Sequence, residues 1–419
     1  MVSLLTITAP LAFPFGGFAG FVTFATPALI LWLVMVLRPF GASPGPGLIL
    51  AVAVALRIPM MFTSPDLSGD VWRYLWDGRV AAEGLNPYSL SPADPSLLDL
   101  RRSWHGEINH PEIRSIYPPY AQLLFLISAL GGASLWIWRL ILVLADVAIL
   151  SILYRRAARH AFLWATFPLA VWEGIWSGHV DLVAALFLLS ALISASRPFS
   201  AGLLLGVATG VKLMPVVASP SLVSRSVRPL RALEGFFLAI GIAAIPFIGR
   251  PFMGGFGAYA ERWSFNGLVY SPLVAVIEIL SIDRHLGRIW TALKDPLGLE
   301  PISPVIYAHL YPDFLARMAL AGLLIAGLIF IVRSRRDVWE SCADSLGLLL
   351  LLSPTVHPWY WLPVSLISIV AGRQLWLLLA AGSVISYLTY ADVNPLAVLM
   401  LSYGLPAAGL VWIRNRRDG

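Results

Sequence analysis

Among its 419 residues the chain has one cysteine, Cys342, and only two lysines, Lys212 and Lys294. A single thiol excludes an intramolecular disulfide and any cysteine-built metal cluster. Charged residues are also scarce: they make up 12% of the chain, about half the roughly 25% of a soluble domain. That excludes an ordinary water-soluble enzyme. No basic residue precedes the first apolar run, so a cleaved signal peptide is not expected. No internal repeat is visible, which counts against transporters built from repeated halves.

What fills the chain instead is apolar. Hydrophobic residues reach 58%, in runs of about 15 to 20 residues that recur from end to end, the length needed to cross a bilayer. The reading is an all-α polytopic membrane protein with roughly 12 to 14 crossings. Residues 1–419 then form a single membrane domain, with no room for a separate soluble one. The net charge of +6 fits basic residues gathered on the inner side of a membrane and does not call for nucleic acid. With 31 prolines and 34 glycines, many helices should be short, kinked or broken, which a membrane tolerates where backbone faces protein or a water-filled cavity.

Residues 4–37, interrupted by Pro10, Pro14, Gly16, Gly17 and Pro27, fit a helical hairpin. A Gly/Pro-rich linker at 41–47 leads to a crossing at about 46–62. Residues 117–131 are too short for a comfortable span. The next run, 133–153, ends in Arg155, Arg156, Arg159 and His160, an inner-side signature. If the loop before residue 117 is outside, only one crossing fits, so 117–131 should be re-entrant or interfacial. Continued, this alternation leaves two large outer loops, 63–116 and 250–312.

The first of these is the unusual stretch. From Ser64 to Tyr120 it holds eight of the 23 carboxylates against five arginines, a balance of −3 in a chain of +6. A long, acidic, aromatic-rich loop in a membrane protein is expected to carry function. The same topology brings to the outer level Glu173, His179 and Asp181, Lys212 in its GVKLMP helix break, Glu261 and Asn266, and His357 in HPWYW. Polar groups at broken helix ends, aimed at one face, are what a site for a lipid's polar headgroup needs.

Lys212 lies in an apolar run, where an ammonium either snorkels to the interface or meets an anion; a compact cation suits a lipid phosphate. Asp70 follows Gly69 and opens the amphipathic run Val71–Val80, where it serves as a helix cap or a catalytic carboxylate, or both. Asp66 and Asp77 are its rivals, Asp77 being better placed to pair with Arg73 or Arg79. His179 with Asp181, and His357 before Pro358, lack zinc-site spacing and read as hydrogen-bonding groups. Arg139 and Asp146 share a helix face and read as a buried pair or bundle contact. Trp72, Trp76, Trp359 and Trp361 suit either an interfacial aromatic belt or stacking on sugar faces.

Taken together, SGDVWRYLWDGRVAAEGLNPY, IYPPYAQ, GHVD, GVKLMP and HPWYW, in that order across residues 60–362, resemble the GT-C class of integral-membrane glycosyltransferases. The likeness is greatest to bacterial polyprenol-phosphate-mannose-dependent mannosyltransferases. The resemblance implies a GT-C-like fold whose outer loop 63–116 is catalytic and whose site faces outward from the bacterial inner membrane. It implies a polyprenyl-phosphate sugar donor, a glycan or glycolipid acceptor, and inversion. Asp70 matches the family's acidic base. Many members carry two adjacent acidic residues there, whereas this chain has Gly69, so a second carboxylate would come from Asp66, Asp77 or elsewhere. Lys212 and His357 would meet the donor phosphate. Arg73, Tyr74, Asp77, Asn86, Tyr117, His179, Asp181, Asn266 and Trp359 are the substrate-binding candidates. A lipid phosphate leaves without a general acid, so neither a cofactor nor a divalent metal is demanded. The competing class is a transporter or lipid flippase, which would place its charges near the bilayer middle.

Overall fold

The computed structural model describes residues 1–38, 44–334 and 336–418, without the side chains of Arg262 and residues 410–418. Part of the Gly/Pro-rich linker at 41–47 therefore lies outside the described residues. The described chain is helical almost throughout. In order come α1 (Val2–Leu37), α2 (Pro46–Arg57), α3 (Asp70–Ala82), α4 (Pro119–Leu130), α5 (Leu135–Arg156) and α6 (Ala158–Ala165). A π-helical segment, Ala170–Trp176, leads into α7 (Asp181–Ile193) and α8 (Pro198–Val211). Six helices, those starting at Pro46, Pro119, Pro198, Pro229, Pro312 and Pro395, begin on a residue that has no N–H to leave unpaired and a φ already helical.

The expected hairpin at 4–37 appears as a sharp bend in α1. Gly17 sits at φ 53°, outside helical geometry, and the rings of Phe13 and Phe18 meet 5.1 Å apart across the bend. Among the described residues five helices are long and apolar enough to cross a membrane, and the bent pair Ala170–Trp176 and Asp181–Ile193 makes a sixth. Seven further apolar helices have only 10 to 17 residues. The expectation of roughly 12 to 14 crossings therefore exceeds the five or six full-length spans, because proline and glycine cut the other apolar runs below a bilayer's length. One of these, Tyr270–Ile279, falls inside the expected second outer loop.

Buried tryptophans tie the bundle together, each indole N–H donating to a backbone carbonyl: Trp32 to Leu163 at 2.9 Å, Trp138 to Gly178 at 2.7 Å and Trp172 to Thr6 at 2.8 Å. Away from water such a donor gains most from a backbone acceptor. Arg139 and Asp146 do not pair with each other. Arg139 donates to the carbonyls of Met61, Thr63 and Trp176, while Asp146 pairs with Arg57 at 2.8 Å and accepts from Trp164.

The 63–116 loop folds onto the bundle through α3, which packs along α4. A Cβ at Gly78 would stand 2.1 Å from the Phe125 carbonyl oxygen, so only glycine lets these backbones approach. The 250–312 loop is not separate from the 63–116 loop. The Gly255 N–H donates to the Ser115 carbonyl at 3.2 Å, Asn86 Nδ2 donates to the Pro251 carbonyl at 2.9 Å, and His110 packs edge-on against Trp263 at 4.6 Å. The two loops form a seam above the bundle.

Candidate active site

Beneath that seam lies a cavity of about 920 Å³. Its walls come from the first loop, the bend of α1, the end of α8, the second loop and the HPWYW turn. Segments far apart in sequence therefore converge on one space, as the topology required.

Asp70 is the first residue of α3 and lines this space. It is not the helix cap. Gly69 holds that position, and the Asp70 N–H is met by Ser68 Oγ at 3.2 Å. One carboxylate oxygen, Oδ1, accepts from Asn109 Nδ2 at 2.8 Å. The other, Oδ2, faces His179 Nδ1 at 3.8 Å, and the side chain is 17% exposed. The missing second acid beside it has a steric reason. A Cβ at residue 69 would stand 2.9 Å from the Glu107 carbonyl oxygen, so an aspartate there would push the loop away. Asp66 and Glu107 supply further carboxylates to the lining.

Lys212, where α8 ends in extended backbone, lines the same cavity. Its Nζ lies 3.2 Å from Asp181 Oδ2 with 18% of the side chain exposed, 4.8 Å above the Tyr360 ring and 5.9 Å from that of Tyr117. It is thus held by a carboxylate and two aromatic faces, which is neither plain snorkelling nor an unpaired charge. Asp181 is buried behind it and does not line the cavity.

Four rings stack in parallel beside these groups. His179 lies on Trp359 at 3.9 Å, Trp359 on His357 at 4.2 Å, and His357 on Phe265 at 4.4 Å. Burial, then the nearby Lys212 ammonium, hold the His357 imidazole down at about 3. Near neutral pH it is an uncharged ring offering one N–H.

The remaining candidates divide. Arg73, Tyr117 and Trp359 line the cavity with Asp70, Lys212 and His357. Asp77 sits behind Arg73, pairing with its Nε at 2.8 Å and accepting from Ser115 and Gln122. That arrangement leaves Arg73 Nη2 without a partner. Tyr74 is buried under the cavity, stacked on Phe125 at 4.7 Å. His179 lies behind Asp70. Asn86 is spent on the loop seam, bonded to Pro251 and Tyr88. Asn266 takes φ 51° in the second loop and gives its carbonyl to Tyr403; it does not reach the lining.

Sequence reasoning did not single out Asn109, Arg114, Trp104, Tyr259, Trp263, Tyr360 or Tyr390, all of which line the cavity. Trp72 and Trp104 stack at 5.8 Å, and the Tyr259 and Tyr360 hydroxyls bond at 2.7 Å. Their one visible signal was the aromatic density of the two loops. Among the described residues no three His, Cys, Asp or Glu side chains are grouped to hold a metal ion.

The described residues make a polytopic helical protein with a large cavity lined by both carboxylates (Asp66, Asp70, Glu107) and cations (Arg73, Arg114, Lys212). The sequence profile of glycosyltransferase family 87 matches residues 116–354, more than half of the chain, and the protein belongs to that family. The matched stretch includes His179, Asp181 and Lys212; His357 and Trp359 lie just past its end, and Asp70 lies well before its start. The chain is also similar to the alpha-(1->6)-mannopyranosyltransferase A of Corynebacterium glutamicum. The two are 22% identical over 383 residues, covering 80% of this chain and 74% of the relative. No solved structure matches it. The protein is an integral-membrane, GT-C-like glycosyltransferase, and family membership decides against the transporter reading.

Proposed function

We propose that the protein moves a sugar, mannose before glucose or arabinose, from a polyprenyl-phosphate donor to a hydroxyl of a glycan or glycolipid acceptor. The reaction runs with inversion at the outward face of the bacterial inner membrane. The observation that carries this is that Asp70 and Lys212 line one and the same cavity, of about 920 Å³, large enough for a sugar and its phosphate. The relative's mannosyl transfer supports the choice of sugar.

In the step itself the Asp70 carboxylate takes the acceptor's hydroxyl proton as the oxygen attacks the anomeric carbon. The carbon–oxygen bond to the phosphate breaks on the opposite side, and the lipid phosphate leaves as an anion. Lys212 Nζ, the free end of Arg73 and the neutral N–H of His357 stand ready for that charge. The stacked Trp72 and Trp104, beside Asp66 and Glu107, give the acceptor an aromatic face on which to lie.

The test uses purified protein in lipid nanodiscs with polyprenyl-phosphate mannose, glucose and arabinose and a short alkyl mannoside acceptor. Mass spectrometry should show a glycosylated acceptor with the mannosyl donor. Consumption of a nucleotide sugar, with every lipid-phosphate sugar untouched, would overturn the proposal.

A further inference from the structure

Asp70 is only the exposed end of a line of groups that runs into the bundle. His179, fully buried in the turn between the π-helical segment and α7, faces two carboxyl groups. Its Nδ1 is 3.8 Å from Asp70 Oδ2 and its Nε2 is 3.5 Å from Glu173 Oε2. Neither ring nitrogen has another partner, and Glu173 Oε2 has none either. The far oxygen of Glu173 accepts the Tyr387 hydroxyl at 2.8 Å. The imidazole cannot swing away, because its face lies on Trp359 at 3.9 Å and 11°.

We propose that His179 and Glu173 are positioning residues for the Asp70 base, passing one chain of hydrogen bonds outward from Tyr387. This rests on the assignment of Asp70 as base. A carboxyl group buried with only a tyrosine and an imidazole for company is most stable as the neutral acid. As an acid, Glu173 accepts from Tyr387 on Oε1 and donates its proton to His179 Nε2. The ring then carries its own proton on Nδ1 and presents it to Asp70 Oδ2. With Asn109 already on Oδ1, both oxygens of the base are fixed, and one lone pair is left turned toward the cavity. The two gaps exceed a closed hydrogen bond and shut by small rotations of the carboxyl groups, as catalytic contacts do when substrate arrives. The π-helical turn supplies the register. Its wider coil brings Glu173 beneath the ring of a residue six positions later, and such turns recur at functional sites.

Other charged groups packed around the ring are Asp181 from α7, Lys212 from the end of α8 and His357 from the turn before residue 358. Lys212 and Asp181 neutralise each other at 3.2 Å, and His357 is uncharged, so the ring's own partners are the two carboxyls.

Three variants separate positioning from mere packing, each assayed for kcat and donor KM over a range of pH with polyprenyl-phosphate mannose and the alkyl mannoside. Glu173→Gln still donates an N–H to His179 and should stay within about three-fold of the parent. Glu173→Leu keeps the bulk, and His179→Phe keeps the ring stack, so both should fold. Each should lose about 10- to 100-fold in kcat, the usual scale for an orienting partner, with donor KM little changed. In His179→Phe, which leaves Asn109 as the one donor to the Asp70 carboxylate, the acid limb of the kcat profile should also move to higher pH. Loss of rate with an unmoved acid limb would reduce His179 to a packing role. A Glu173→Gln enzyme as impaired as Glu173→Leu would refute the neutral-acid donor. Full turnover by Asp70→Asn would sink the base assignment itself, whereas a dead Asp70→Asn beside an unimpaired Glu173→Leu would sink only this inference.

Discussion

Lys212 and Asp181 are bound to each other, Nζ to Oδ2 at 3.2 Å, with the lysine 18% and the aspartate 1% exposed. Two helix ends, the start of α7 and the end of α8, therefore hand the cavity a single cation that is already oriented. The pairing changes how the lysine must be tested.

Lys212→Met alone strands a buried carboxylate, a fault worth about 3 to 5 kcal/mol of stability, and a loss of donor binding would then be confounded with a loss of fold. The double variant Lys212→Met with Asp181→Asn removes both charges. Its thermal midpoint should recover most of what the single variant loses. Its donor affinity, followed by titration, should stay weaker by about 1.5 to 3 kcal/mol. Parental affinity in the double variant would return the lysine to a structural role.

For the base, Asp70→Asn should cut turnover by a factor of about 100 to 10,000 while the donor still binds. The asparagine keeps its bond to Asn109 by an amide flip, so folding survives. Asp66→Asn should cost less. Asp77→Asn should fail differently: Arg73 loses its buried partner, and the protein should melt earlier with turnover falling in step. Near-normal turnover by Asp70→Asn would show that another carboxylate takes the proton.

His357 gives a pH signature by what it does not do. Its imidazole is held at about 3, so between about pH 5 and pH 8 it keeps one charge state. Donor affinity should show no step near the ordinary histidine value of about 6.5. The sign for stability follows from proton uptake. The unfolded chain binds a proton near 6.5 that the folded site refuses, so this contribution is present above that pH and fades as pH falls toward 3. His357→Gln retains a neutral N–H and should hold the donor within about ten-fold. An affinity step near pH 6.5 that vanishes in His357→Gln would show that the ring is charged when it works.

Topology is open to a simpler measurement. A reporter placed in the 63–116 loop should read outside, and one beside Arg156 should read inside. The same side for both would remove the re-entrant reading of 117–131 and the outward orientation with it.

Much of the fold could be read beforehand because membrane burial writes itself into composition. Apolar length and the breaks at Gly17 and GVKLMP all showed. Asp77 beside Arg73 was legible as a four-residue helical spacing. What sequence could not show is where loops close. Asn109 reaches Asp70 from 39 residues away, and no spacing rule connects them. Asn86 and Asn266 looked available for substrate because an asparagine's partners in a loop are set by tertiary folding; the seam claims Asn86, and Asn266 lies off the cavity lining. The Glu173–His179–Asp70 line depends on a π-helical turn and a 116° bend, neither of which leaves a pattern in the chain.

The seam between the two loops bears on how the protein is made. Asp70 enters the membrane early in synthesis, yet the Ser115–Gly255 contact that roofs the cavity needs a segment some 140 residues later, and the ring stack needs Trp359. A chain that has been made only as far as the end of α8 therefore holds Asp70 and Lys212 but neither the roof of the cavity nor its ring stack, so the cavity is assembled only as the last third of the sequence folds onto the first.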